Sequence, residues 1–90
     1  MATVTSTLVF ADAGETQASV DVAGFTGLTA ASYLEAFTMA EASTDHSADE
    51  IIVDGIDLIC AYLSATEVRV HGLARTGRVN GDYPIRVVSA

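Results

Sequence analysis

The stretch GETQASVDVAG, residues 14–24, alternates with a period of two. Thr16, Ala18, Val20 and Val22 fall on one face and Glu15, Gln17, Ser19 and Asp21 on the other. Successive strand residues point to opposite sides of a sheet, so this pattern describes a half-buried β-strand and is incompatible with the 3.6-residue period of a helix. The same period recurs along the chain. VTSTLVFAD precedes this stretch, and the intervening DAG supplies Gly14 for a tight connection, which predicts a hairpin between the first two strands. IDLICAYL sets Ile56, Leu58, Cys60 and Tyr62 against Asp57, Ile59, Ala61 and Leu63 and reads as a central strand. The short SAT then turns the chain into EVRVHGLA, where Val68 and Val70 oppose Glu67, Arg69 and His71. Asn80-Gly81 is a strong turn signal before the closing strand YPIRVVSA. Pro84 offers no amide proton, which predicts that this last strand lies at an edge or begins only after that residue.

One segment is ambiguous, and its pattern alone slightly favours a helix. In GFTGLTAASYLEAFTMAEAS, Tyr33, Phe37 and Ala40 recur at helical spacing, with Thr29 or Ser32 as a cap. Read as a strand, Leu34, Ala36, Thr38 and Ala40 share one face, with Tyr33, Glu35, Phe37 and Met39 on the other. Val, Ile, Thr and Ala dominate, and there is no tryptophan. With about seven short extended segments and no repeat or linker, residues 1–90 read as one all-β domain, an antiparallel β-sandwich.

Twelve acidic residues face four arginines and no lysine, a formal charge of −8. Nucleic-acid affinity comes largely from cations placed on phosphates, so this balance argues against DNA or RNA as a partner. The four arginines, Arg69, Arg75, Arg78 and Arg86, all lie in the last 23 residues, whereas residues 1–67 hold eleven acids and no Lys or Arg. This asymmetry suits either acidic and basic strands pairing within one molecule or an acidic face of one subunit meeting a basic face of the next. Arg75 and Arg78 are the candidate subunit contacts in the second case. No apolar run reaches the roughly 18 residues of a membrane span, and the first residues lack the basic and apolar regions of a signal peptide. The chain therefore reads as soluble and unexported, with no membrane partner. Cys60, the single cysteine, reads as a small core residue rather than a nucleophile.

The densest polar cluster is EASTDHSADEIIVDG, residues 41–55. As a metal site it would offer Asp45, His46, Asp49 and Glu50, carboxylates suited to calcium. It lacks a second histidine, a recurring Asp-x-Asp ladder and a glycine at a calcium-loop position. As a hydrolytic site it would need Ser47 beside His46, yet adjacent strand residues point to opposite faces and no nucleophile elbow surrounds that serine. The cluster is read as a structural polar connection, in which Asp45 and Ser47 satisfy nearby amides and His46 packs near the start of the next strand. On this reading there is no catalytic residue, no metal ligand and no cofactor.

Taken in order, ASYLEAFTMAEASTDHSADE, the apolar strand IDLICAYL, then EVRVHGLA and the glycine-led GDYPIRVVSA resemble a small β-sandwich module found among tailed-bacteriophage structural proteins. The resemblance spans residues 15–90. Its most specific part is Thr44, Asp45, His46, Asp49 and Glu50 following Ser32, Glu35 and Phe37. The chain departs from the module's pattern in lacking a Gly-x-Gly-Phe step in SATEVRVHGLA and a tryptophan in the final strand. The resemblance implies that residues 31–42 are strand and that the sandwich is immunoglobulin-like. It also implies a non-enzymatic virion component, made in the host cytoplasm and placed on the outer surface of the particle. The expected role is a capsid decoration or cement subunit, or a head accessory protein. It would be a homo-oligomer partnered by capsid or other virion proteins, with neck, tail or baseplate placement and a free carbohydrate or cell-surface binding module as alternatives.

Overall fold

Burial follows the sequence alternation from the first strand onwards. In β1 (Ala2–Glu15) Leu8 and Phe10 are fully buried while Thr3, Thr5, Thr7 and Val9 are exposed. In β2 (Gln17–Ala23) Val22 is buried and Gln17, Ser19 and Asp21 are exposed. The computed structural model describes residues 2–39, 55–75 and 77–89, with the side chains of Asp12 and Ala13 left aside. The remaining strands are β3 (Leu34–Thr38), β4 (Ile56–Tyr62), β5 (Glu67–Ala74) and β6 (Val79–Ser89). No helix occurs among the described residues, so the slight preference of the pattern for a helix is corrected to strand over Leu34–Thr38, where pairing with β6 overrides local spacing.

Among the described residues two three-stranded antiparallel sheets face each other, in the orders β1-β6-β3 and β2-β5-β4. The fold is thus the antiparallel β-sandwich expected of the sequence. Between successive described strands the chain stays in one layer only at the β4–β5 hairpin. There Leu63 and Ser64 both donate their amides to the Glu67 carbonyl, as the SAT turn predicts.

Four expectations about pairing and position are corrected. β1 and β2 do not pair as a hairpin, because after Glu15 the chain passes through Thr16 alone into the opposite sheet. A period of two identifies the buried face but is the same whether the next strand lies beside it or across the core. β4 is not the central strand of its sheet; β5 is, flanked by β2 and β4. Asn80-Gly81 is not a hairpin turn either, since both residues lie inside β6, which is the central strand of the other sheet and begins well before Pro84. Gly81, at φ +82°, pairs with Phe10 at the point where the β1–β6 register shifts and Val79 next meets Glu15. The turn-forming dipeptide therefore serves an irregularity within a ladder.

The register explains how a central strand accepts proline. The Met39 amide donates to the Pro84 carbonyl, so Pro84's backbone faces the β3 side, and β3 has ended one residue earlier, at Thr38 opposite Ile85. The missing N–H falls where the ladder stops.

The core draws Leu8, Phe10, Val79, Tyr83, Ile85 and Val87 from one sheet and Val22, Ile56, Val68 and Val70 from the other. Phe25 and Leu28 from the β2–β3 connection close one end. That connection is held by its amides, with Phe25 donating to the Thr66 carbonyl and Leu28 to that of Ala65. The Phe10 and Tyr83 rings meet edge-to-face, 5.5 Å apart at 85°. Opposite Leu8, a Cβ added at Gly72 would land on the Leu8 Cδ2 atom, well inside van der Waals contact. The close approach of the two layers at this point requires glycine.

Candidate functional surface

The polar cluster carrying Asp45, His46, Asp49 and Glu50 lies outside the described residues. The described residues nearest to it on each side are both tied down. Met39 donates to Pro84, and Gly55 accepts from the Arg75 amide. Among the described residues there is no group of three or more His, Cys, Asp or Glu side chains arranged to hold a metal ion.

What the described residues present to solvent is two sheet faces. On the first, the register aligns Thr3, Val88 and Glu35 in one row and Thr5, Arg86 and Phe37 in the next. Phe37 is 45% exposed, Val9 57% and Tyr33 58%. The Tyr33 hydroxyl donates to the Glu35 carboxylate, and this bond raises the phenol's pKa above its ordinary value because the bonded proton is held more firmly.

On the second face the rows are Gln17–Leu73–Asp57, Ser19–His71–Ile59 and Asp21–Arg69–Ala61. Gln17, Ser19, His71 and Leu73 border an open depression of ≈ 330 Å³. Serine, histidine and aspartate thus share one surface, yet they make no catalytic relay. Asp21 receives Arg69 Nε at 2.8 Å and Nη2 at 3.2 Å, so both its carboxylate oxygens serve the guanidinium. That bond holds the Asp21 carboxyl below its ordinary range and raises Arg69 in turn. Ile59 and Leu73, both exposed, are diagonal neighbours around His71 and form the apolar part of this face.

Of the candidate subunit contacts, Arg75 lies beside Gly55 and forms an exposed ion pair with Asp57, Nε to Oδ1 3.0 Å. Arg78 is exposed and packs its stem near Gly14. The Arg69–Asp21 and Arg75–Asp57 pairs are the intramolecular matching of basic and acidic strands that the charge asymmetry allows. Cys60 lies on the inner face of β4, partly buried, and burial pushes its thiol up, with the Glu35 charge adding to the effect. A thiol held protonated is a poor nucleophile, in keeping with a packing role.

Sequence reasoning passed over Gly72, whose need for a bare Cα has no local signature, and the β1 edge, which no other described strand covers. The signal for that edge was present in ATVTSTLVF, nine residues with neither charge nor proline. No family model matches this chain, and neither does any curated protein or solved structure.

Proposed function

We propose that this protein is a non-enzymatic structural subunit of a tailed-bacteriophage particle, decorating or cementing the head from outside through many weak, symmetry-repeated contacts. The observation that carries this reading is that both outer faces of the sandwich, rather than one, expose large apolar side chains. Phe37 and Val9 lie on the first, with Ile59 and Leu73 on the second. A subunit wedged between neighbours needs adhesive surface on opposite sides, and repetition of modest contacts over a lattice multiplies their effect. The acidic composition supports placement away from the packaged genome. The module resemblance of residues 15–90 supports the same reading.

The test is to purify particles from the native source on a density gradient and probe them with an antibody to this chain. Co-banding with the particles is expected, with immunogold label on the head. Label on the neck or tail would move the subunit to the alternative position, and a chain left wholly in the soluble fraction overturns the reading. A second reading, a carbohydrate-binding module, is favoured by Tyr33 and Phe37 lying on the same side of β3. Saturable binding on a glycan array, lost in both Tyr33→Ala and Phe37→Ala, would establish it instead.

A further inference from the structure

Each sheet of the sandwich has two edges, and they are not equivalent. Among the described residues β1 has β6 on one side and no strand on the other. The acids of β1, Asp12 and Glu15, both lie beyond Phe10, whereas the shorter edge strands carry theirs within the paired stretch: Asp21 on β2, Glu35 on β3 and Asp57 on β4. Over Ala2–Phe10 the β1 edge carries no charge, no proline and no lysine, the devices by which edge strands normally resist pairing.

The register also states which backbone groups that edge offers. Pro84 faces β3, so its pair with Thr7 is of the non-hydrogen-bonded kind, and the Thr7 N–H and C=O point away from β6. Alternation along the strand directs the backbone groups of Thr3, Thr5, Thr7 and Val9 outward, while Val4, Ser6 and Leu8 bond to β6. The outward-pointing amides therefore belong to three threonines and Val9, all with side chains exposed on the sheet's solvent face.

From these observations we infer that β1 is a self-pairing edge: a second copy of this chain adds its own β1 antiparallel, about a two-fold axis at Thr5, to give one continuous six-stranded sheet. Thr5 then lies opposite its own copy, with Thr3 opposite Thr7 on each side. About six new main-chain hydrogen bonds result, and the threonine side chains form cross-strand pairs on the outer face. A second copy is the occupant that the strand itself matches, since it offers the same uncharged stretch with outward backbone groups at the same spacing. Two chains of net charge −8 repel each other, and this is the strand along which they meet without placing one carboxylate against another. Among the described residues each copy has one such edge, so the pairing consumes it and closes at a dimer instead of growing into a fibre. The inference shares with the proposed function only the property of self-association. Where the protein sits on a particle plays no part in it.

The experiment is sedimentation velocity on the whole chain over a concentration series reaching about 1 mM. It is paired with hydrogen exchange at the Thr3, Thr5 and Thr7 amides. The unmodified chain is expected to form a species of twice 9.3 kDa, with protection of those three amides rising as dimer accumulates. Thr5→Pro removes an outward donor, and Thr5→Asp opposes two carboxylates at the two-fold. Each is expected to weaken dimerisation at least about tenfold, the loss of more than one main-chain bond. Ala65→Asp, the same change of charge placed in the exposed β4–β5 turn of the other sheet, should leave it unchanged. Thr5→Asp places its carboxylate in solvent beside Arg86 and keeps the test valid should Thr5→Pro fail to fold.

A chain that stays monomeric throughout overturns the inference. So does a dimer that persists in Thr5→Asp, or one in which the three amides stay unprotected; those last two outcomes leave the assembly reading standing on another surface. A dimer formed as described by a chain absent from particles would overturn the proposed function and keep the inference.

Discussion

Gly72 is where a single hydrogen atom decides how closely two layers approach. Leu8 occupies the space that a Cβ at this position would fill, so Gly72→Ala overpacks the centre of the sandwich and should cost about 1–3 kcal/mol in urea unfolding. Leu8→Ala alone should cost about 2–5 kcal/mol through the cavity it leaves. The double variant should be more stable than the sum of the two losses predicts, because the new methyl group enters the space that leucine vacates. Strict additivity would show that the two residues do not share this space. Asp21 offers a residue-scale test of a different kind. Its folded-state pKa lies below the ordinary value of 3.8, so its pairing with Arg69 stabilises the fold above the ordinary carboxylate range. That contribution is lost as pH falls through the depressed value. In Asp21→Asn the melting temperature should therefore be lower at neutral pH and fall less steeply on acidification. Both side chains are more than two-fifths exposed, so the effect will be small. Parallel pH profiles for the two proteins would reject the assignment.

At the scale of elements, the alternation of polar and apolar residues made β1, β2, β4 and β5 legible and correctly divided β2, β4 and β5 into inner and outer faces, while β6 was legible as a strand but begins earlier than its turn signal suggested. Pairing partners were not legible, for a physical reason. Periodicity records which side of a strand is dry, and β2 would show the same record beside β1 as it does across the core from it. Turn chemistry misled at Asn80-Gly81 because φ > 0 is equally the requirement of a ladder irregularity, and burial of the flanking Val79 and Tyr83 decided between the two. Gly81→Ala should accordingly cost about 1–2 kcal/mol for forcing a side chain into positive φ, measured as a fall in urea midpoint with unchanged slope. An unaltered midpoint would mean that the irregularity relaxes without strain. The candidate site was legible only in part. The intramolecular matching of arginines to acids was among the readings of the charge asymmetry, whereas the uncharged β1 edge becomes meaningful only once β1 is known to lie at the side of its sheet.

For the whole molecule, net charge and edge chemistry pull in opposite directions, and salt separates them. Two copies of a −8 chain repel over a distance that shrinks from about 10 Å at 0.1 M ionic strength to about 3 Å at 1 M. Main-chain hydrogen bonds between uncharged strands are little affected over that range. If association runs through β1, raising sodium chloride from about 0.05 M to about 0.5 M removes repulsion and should tighten it, seen as growth of the dimer boundary at fixed protein concentration. If association instead sets Arg75 and Arg78 of one copy against the acidic surface of another, the same salt screens attraction and loosens it. Arg75 is already engaged by Asp57, so a contact of that kind would first have to break the 3.0 Å ion pair or share its carboxylate. Reversing both charges, Arg75→Glu with Arg78→Glu, then completes the test. It should weaken a β1-paired dimer only through the added repulsion, an effect that disappears at about 0.5 M salt. A loss that persists at high salt would place the contact on the arginines and away from the edge.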